Sequence, residues 1–264
     1  MANEFSAIEN EKSGANRMKM GCVLIPALIK EKLILSVQMA QDFTLYLRHK
    51  LSGTPYFKYY SERMDRIVKR NPNWGLNLER EFQLKYLQKQ GMKQSDSLLD
   101  YGCGAISAGR HFIDFLDRGN YVGVDVSPAV VQEAKNRVSR FGLLDKEPTL
   151  FCIFEGSLAI VGPRKFRFIW AQSVLTHMSP QDILSLLCDI QQFMAADSEF
   201  FATFTESATD DIHHRHLRDW SYPLSFFEKA GLQNGLSVSF VKDWMHPNDP
   251  SGRDRMVVFR LKKE

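Results

Sequence analysis

The sequence predicts an α/β fold: a seven-stranded, mostly parallel, doubly wound sheet with an antiparallel last strand, preceded by an N-terminal helical extension. Three observations carry this. From about residue 95 onward, strand-length apolar runs alternate with helix-length amphipathic segments, the pattern of a parallel sheet covered on both faces. The last two strand candidates are separated only by the turn signal Pro247-Asn248-Asp249-Pro250-Ser251-Gly252, so they are expected to be antiparallel. Before residue 95 no strand pattern stands out.

Taken in order, the extension reads as three helices. Ala27–Leu51 carries apolar residues mostly two to four apart and is broken by Ser52-Gly53-Thr54-Pro55. Phe57–Lys69 stops near Asn71-Pro72-Asn73. Asn77 is placed to cap a third helix, which ends at Gly91. The expected strands are Ser97–Tyr101, Tyr121–Asp125, Thr149–Phe154, Phe166–Gln172, Phe200–Phe204, Leu236–Asp243 and Arg255–Leu261. Helices are expected near Gly109–Asp117, Pro128–Phe141 and Pro180–Met194. The domain division that follows is 1–92 for the helical extension, acting as a lid, and 93–264 for the core.

Composition narrows the function. Hydrophobic residues make up 44% and charged residues 25% of the 264 residues, an ordinary globular balance. With 34 Lys+Arg against 31 Asp+Glu the net charge is only +3, which gives no electrostatic case for nucleic acid. Cys22, Cys103, Cys152 and Cys188 form no CxxC pair, so neither a zinc site nor a disulfide framework is expected. The apolar run Cys22–Ile29 is too short to span a bilayer. The polar, acidic start Met1–Lys12 is unlike a secretory signal. A soluble, cytoplasmic protein is expected, with no membrane partner; oligomeric state is not legible.

The most informative segment is Leu98-Leu99-Asp100-Tyr101-Gly102-Cys103-Gly104-Ala105. An apolar strand ends in a carboxylate, two glycines follow one residue apart, and a helix begins. Glycines there let the backbone approach a ligand closely. The second strand ends in Asp125, whose carboxylate can accept hydrogen bonds from both hydroxyls of a ribose. A dinucleotide fingerprint needs a third glycine where Ser107 stands, and Asp100 beside a pyrophosphate is unfavourable. A nucleoside cofactor with a cationic amino-acid tail and no phosphate tolerates that aspartate.

On these residues the chain resembles the class I S-adenosylmethionine (SAM)-dependent methyltransferases, over about residues 93–264. Asp100-x-Gly102-Cys103-Gly104 is similar to the family's first motif and Asp125 to its ribose-binding acid. The stretch Phe166–Met178 is similar to its fourth motif, which ends beside the transferable methyl. The resemblance implies SAM as cofactor, S-adenosylhomocysteine as product and no metal. It also implies cofactor contacts from Asp100, Gly102, Cys103, Gly104, Asp125, Val126, Gln172 and Ser173, with Ser157 and Leu158 beside the adenine. There are departures: Ile106 replaces the usual third glycine, Arg167 stands where Asp is common, and Gly156-Ser157-Leu158 replaces the acidic segment near the adenine amine.

The activity implied is methyl transfer to an O or N atom of a small molecule by in-line displacement. Such a reaction mainly requires alignment and exclusion of water, and a base only where the nucleophile begins protonated. His177, just past the fourth strand, is the leading candidate base; the second candidate is His246, in the turn between the last two strands. Tyr60 and Trp74, within the aromatic group Tyr56, Phe57, Tyr59, Tyr60 and Trp74, are expected in a lid over the acceptor. Asp210–Asp219, with His213, His214 and His216, reads as a substrate or solvated loop, and His213 and His214 are its candidate substrate contacts. The alternative function is a catalytically inactive, methyltransferase-like partner subunit, suggested by Arg167 and the altered adenine segment.

Overall fold

The computed structural model describes residues 36–71, 73–76, 80–153, 157–215, 219–247, 249 and 252–262. The chain divides into two compact units, Met1–Arg48 and His49–Glu264. Residues 36–52 are helical (α1). The run Cys22–Ile29, the first part of the helix expected over Ala27–Leu51, and Asn77, Phe154, Gly156 and His216 lie outside the described residues.

The second unit contains two further helices, α2 (Tyr56–Arg70) and α3 (Glu81–Lys89), which were expected in the extension and fall in the same compact unit as the sheet. The strands β1 (Leu98–Tyr101), β2 (Tyr121–Asp125), β3 (Thr149–Cys152), β4 (Phe166–Ala171) and β5 (Met194–Glu206) are parallel, in the spatial order β3-β2-β1-β4-β5. β9 (Asp254–Leu261) lies antiparallel to β5, and β8 (Leu236–Val241) antiparallel to β9. The expected antiparallel end of the sheet is therefore present.

The alternation of each strand builds the two cores. Leu99, Tyr101, Ile169, Ala171, Phe200 and Ala202 face one side, where α6 (Pro180–Ile190) and α7 (Leu224–Gln233) bury Ile183, Leu187 and Phe227. Leu98, Tyr121, Phe168, Trp170 and Phe201 face the other, against α3, α4 (Gly109–Phe115) and α5 (Pro128–Arg140). Strands buried on both faces read as continuous apolar runs, which is why β1, β2 and β4 were legible.

Two features depart from the expectation. Among the described residues there are nine strands rather than seven. The added pair, β6 (His213–Arg215) and β7 (Asp219–Tyr222), is an antiparallel hairpin in the segment expected to be a loop. β7 runs parallel to the end of β5 through Thr205↔Ser221 and Glu206↔Tyr222. Because β9 occupies the other edge of β5 up to Thr205, the hairpin takes the edge that β4 vacates after Ala171. Strands of three and four residues with mixed charge leave no period to read. The second departure is α7, in a stretch where the sequence pattern places no helix. Among the described residues no helix is long and apolar enough to cross a membrane.

A buried ion pair fastens the segment before α3 to the sheet. Arg137 of α5 donates to Glu133 at 2.8 Å, to the carbonyl of Ala105 at 3.1 Å and to the carbonyl of Trp74 at 2.7 Å. Replacing Arg137 by Met leaves the nearly closed Glu133 with only Arg140 at 3.9 Å and removes the donors to the carbonyls of Ala105 and Trp74, so the expected loss of stability is about 3 kcal/mol. Urea unfolding of Arg137→Met measures it, and a loss below about 1 kcal/mol would show that the pair holds nothing in place.

Candidate functional site

Site-forming residues gather where β1, β2 and β4 end. β1 turns at Gly102, whose φ of +78° suits glycine. A Cβ there would lie 2.4 Å from Val174 Cγ2, so the turn also needs the missing side chain for space. Gly104, at φ +55°, donates its N–H to Asp125 Oδ2 at 3.1 Å. Asp125 Oδ1 accepts the N–H of Ser127 at 2.9 Å. One carboxylate thus ties the turn after β1 to the turn after β2. Gly123 helps: a Cβ at that position would sit 3.0 Å from Cys103 Cβ and Sγ.

Ile106, where the resemblance led to a glycine, takes the left-handed conformation at φ +54° and is fully buried. For a β-branched residue this costs about 1–2 kcal/mol, offset here by burial among apolar neighbours. Gly109 opens α4 for a different reason: a Cβ there would lie 2.5 Å from the Tyr121 hydroxyl. That hydroxyl donates to Asp100 Oδ2 at 2.7 Å.

Burial raises the Asp100 carboxyl to about 7 against the pull of the Tyr121 hydrogen bond, and Asp125 adds repulsion. Asp125 is raised to about 6, also by burial, against its backbone hydrogen bonds. Both carboxyls line one cavity, so a ligand that brings positive charge or hydrogen-bond donors to them is favoured there.

The helix α2 is pinned over this point. Asp65 accepts from the Ser127 hydroxyl and from the N–H of Ala129 at 3.1 Å, so it sits at the N-terminus of α5, where a carboxylate is favoured. Ser61 donates to the carbonyl of Val126 at 2.8 Å. Neither residue carried a sequence signal, because each acts on a residue more than sixty positions away.

These elements enclose a cavity of about 500 Å³. Asp100, Gly102, Cys103, Gly104, Asp125, Val126, Ser157, Gln172 and Ser173 all line it, as do His177, Tyr60 and Trp74. Leu158 is buried nearby but is not among its walls, and His213, His214 and His246 are not either. His213 pairs with Thr209, His214 stacks on Trp220 at 4.1 Å, and His246 Nε2 lies 3.2 Å from Arg80 Nη1. Ser157 caps the short helical turn Leu158–Val161. Arg80 and Gln83, not foreseen, line the cavity too. Gln83 accepts from Trp170 Nε1 at 2.8 Å and donates to Gln172 at 3.2 Å, which joins α3 to the end of β4.

His177 follows β4 in a short helical turn. Its Nδ1 is 3.0 Å from Asp219 Oδ1, and its ring stacks on Tyr60 at 5.0 Å and 22°. Among the described residues no group of three or more His, Cys, Asp or Glu is arranged to hold a metal ion.

No protein-family model and no curated protein sequence matches the chain. Solved structures do. The SAM-bound magnesium protoporphyrin IX methyltransferase (ChlM) of Synechocystis PCC 6803 is 14% identical over 78% of this chain and 84% of that one, with a TM-score of 0.53. The glycopeptide N-methyltransferase MtfA in complex with SAM is 11% identical over 70% and 96%, with a TM-score of 0.58. A SAM-dependent methyltransferase from Clostridium acetobutylicum ATCC 824 is 14% identical over 75% and 97%, at 0.54. At these identities the likeness establishes the fold.

The raised carboxyl of Asp100 has a consequence for stability. Its ordinary value is 3.8 and its value in the folded protein about 7, so the folded state holds the proton more tightly than the unfolded state. That contribution is complete below about pH 4 and is lost as pH rises towards about 7. Thermal unfolding of Asp100→Asn between those limits is expected to show a shallower decline than the unaltered protein; equal slopes would contradict the assignment.

Proposed function

We propose that this chain, which has the fold of the class I SAM-dependent methyltransferases, transfers a methyl group from SAM to an O or N atom of a small molecule. The observation that carries the reading is the meeting of Asp100, the Gly102–Gly104 turn and Asp125 in one cavity. The residues fit the cofactor. Asp125 accepts backbone N–H groups from Gly104 and Ser127 and lines the cavity, where its carboxylate suits the ribose hydroxyls. Asp100, raised by burial, is relieved by a cationic tail and would repel a phosphate.

When bound, SAM supplies a methyl group activated by its sulfonium. The chain's own residues bind, orient and exclude water: α2 and the segment at Trp74 and Gly75 cover the cleft, and its volume is in the range of small-molecule sites. Arg167, which suggested a binding-only subunit, donates to Glu199 at 3.1 Å and lies over Phe168, away from the cavity walls. It gives that alternative no support.

Calorimetric titration with S-adenosylhomocysteine tests the reading. Micromolar or tighter binding is expected, weakened more than about tenfold in Asp125→Ala because a charge-assisted bidentate contact is lost. No binding to the folded protein, or equal binding to the variant, would overturn it. A second signature follows from Asp100, which titrates at about 7 in the free protein. An ammonium beside it lowers that value, so binding near pH 6–7 is expected to release protons, and the release fades above about pH 8.5. Titration in two buffers of different ionisation enthalpy reads the proton count.

A further inference from the structure

Arg80 is the single lysine or arginine among the described residues that line the cavity, whose other charged walls are Asp100, Asp125, Asp182 and Asp189. It directly precedes α3, which packs on one face of the sheet, whereas α6 with Asp182 and Asp189 packs on the other. Its Nη1 donates to Nε2 of His246 at 3.2 Å, and among the described residues its side chain makes no ion pair. By contrast Arg137, Arg167 and Arg255 each hold a carboxylate within 3.1 Å. Burial lowers the Arg80 guanidinium and the His246 imidazole alike, and Asp254 offsets the first only in part. A guanidinium has five N–H donors, so four remain beyond the one given to His246. The anchor also has a place in the sheet. His246 lies in the turn before β9, and β9 pairs with β5, whereas Asp100 and Asp125 end β1 and β2. Arg80 is therefore tethered past β4, away from the strands that would hold the nucleoside.

We propose that Arg80 receives a carboxylate carried by the methyl acceptor, a reading that rests on the methyltransferase assignment and names its substrate class as a small organic acid. The planar fork of a guanidinium matches the two oxygens of a carboxylate with parallel N–H···O bonds, which a neutral hydroxyl or amide cannot return. In a half-buried position such a pair is screened less than at the surface. The acidic walls act in the same sense. Asp100, Asp125, Asp182 and Asp189 repel an anion from the rest of the cavity, so the acceptor is held in one orientation by attraction at Arg80 and by repulsion elsewhere. An acceptor gripped at its anionic end has its nucleophilic atom placed without a contact at the reacting centre. Gln83, one turn along α3, donates to Gln172 at 3.2 Å and keeps the helix against the end of β4 while this occurs.

Sodium acetate is the probe, titrated at constant ionic strength into protein saturated with S-adenosylhomocysteine. Side-chain 1H–15N spectra of 15N-arginine-labelled protein follow the Arg80 Nε signal, identified by its loss in Arg80→Gln. A saturable shift is expected with acetate, and binding at least about tenfold weaker with acetamide, which has the shape without the charge. No saturable shift, or equal response to acetamide, would overturn the proposal. The cofactor's own carboxylate is the competing source. Calorimetry of Arg80→Gln with S-adenosylhomocysteine is expected to give an affinity within about threefold of the unaltered protein, which also shows that the variant is folded. A larger loss, or acetate binding that disappears once S-adenosylhomocysteine is bound, would give Arg80 to the cofactor tail and overturn the acceptor assignment. Failure of the methyltransferase reading looks different: S-adenosylhomocysteine does not bind the unaltered protein, while acetate still shifts Arg80 in the free chain.

Discussion

The carboxylate of Asp125 is the constraint on which the site depends. By accepting N–H groups from Gly104 and Ser127 it fixes two turns that belong to different strands, and the cavity opens across them. The rest of the architecture serves that junction. The glycines at 102 and 123 let the backbones approach, Ser61 and Asp65 fasten α2 to the same turn, and Arg137 holds the Trp74 segment against the carbonyl of Ala105.

The junction is costly to fold. Asp100 and Asp125 are both raised by burial, and the charge of Asp125 pushes Asp100 further up. Ile106 adds a left-handed β-branched residue to the same turn. Strain and unfavourable charge of this kind persist where the surroundings over-determine them, and they concentrate at functional sites. The large apolar cores on both faces of the sheet supply the stability that lets the turn remain as it is.

What was legible in the sequence was local. The run from Leu98 to Ala105 and the strand Tyr121–Asp125 each carry their chemistry within a few residues, so their turns and carboxylates were readable. Ser61, Asp65, Gln83 and Asp219 were not, because each acts through a partner distant in sequence and none stands in a periodic pattern. The hairpin was missed for a related reason. Its strands are only three and four residues long, and they form because β5 outruns β4 and leaves an edge to be paired.

That unpaired edge explains how a widely used kind of sheet acquires an individual site. The strands β1, β2 and β4 provide the part that a nucleoside cofactor would use. The extension of β5 beyond the end of β4 at Ala171 lets an inserted hairpin reach the neighbourhood of His177. A carboxylate thereby meets an imidazole from a hairpin that also buries Tyr222 in the core beside Phe227. Chemistry specific to this chain is thus expected on the hairpin side of the cavity, and the constraint that places it is the unsatisfied backbone of one strand.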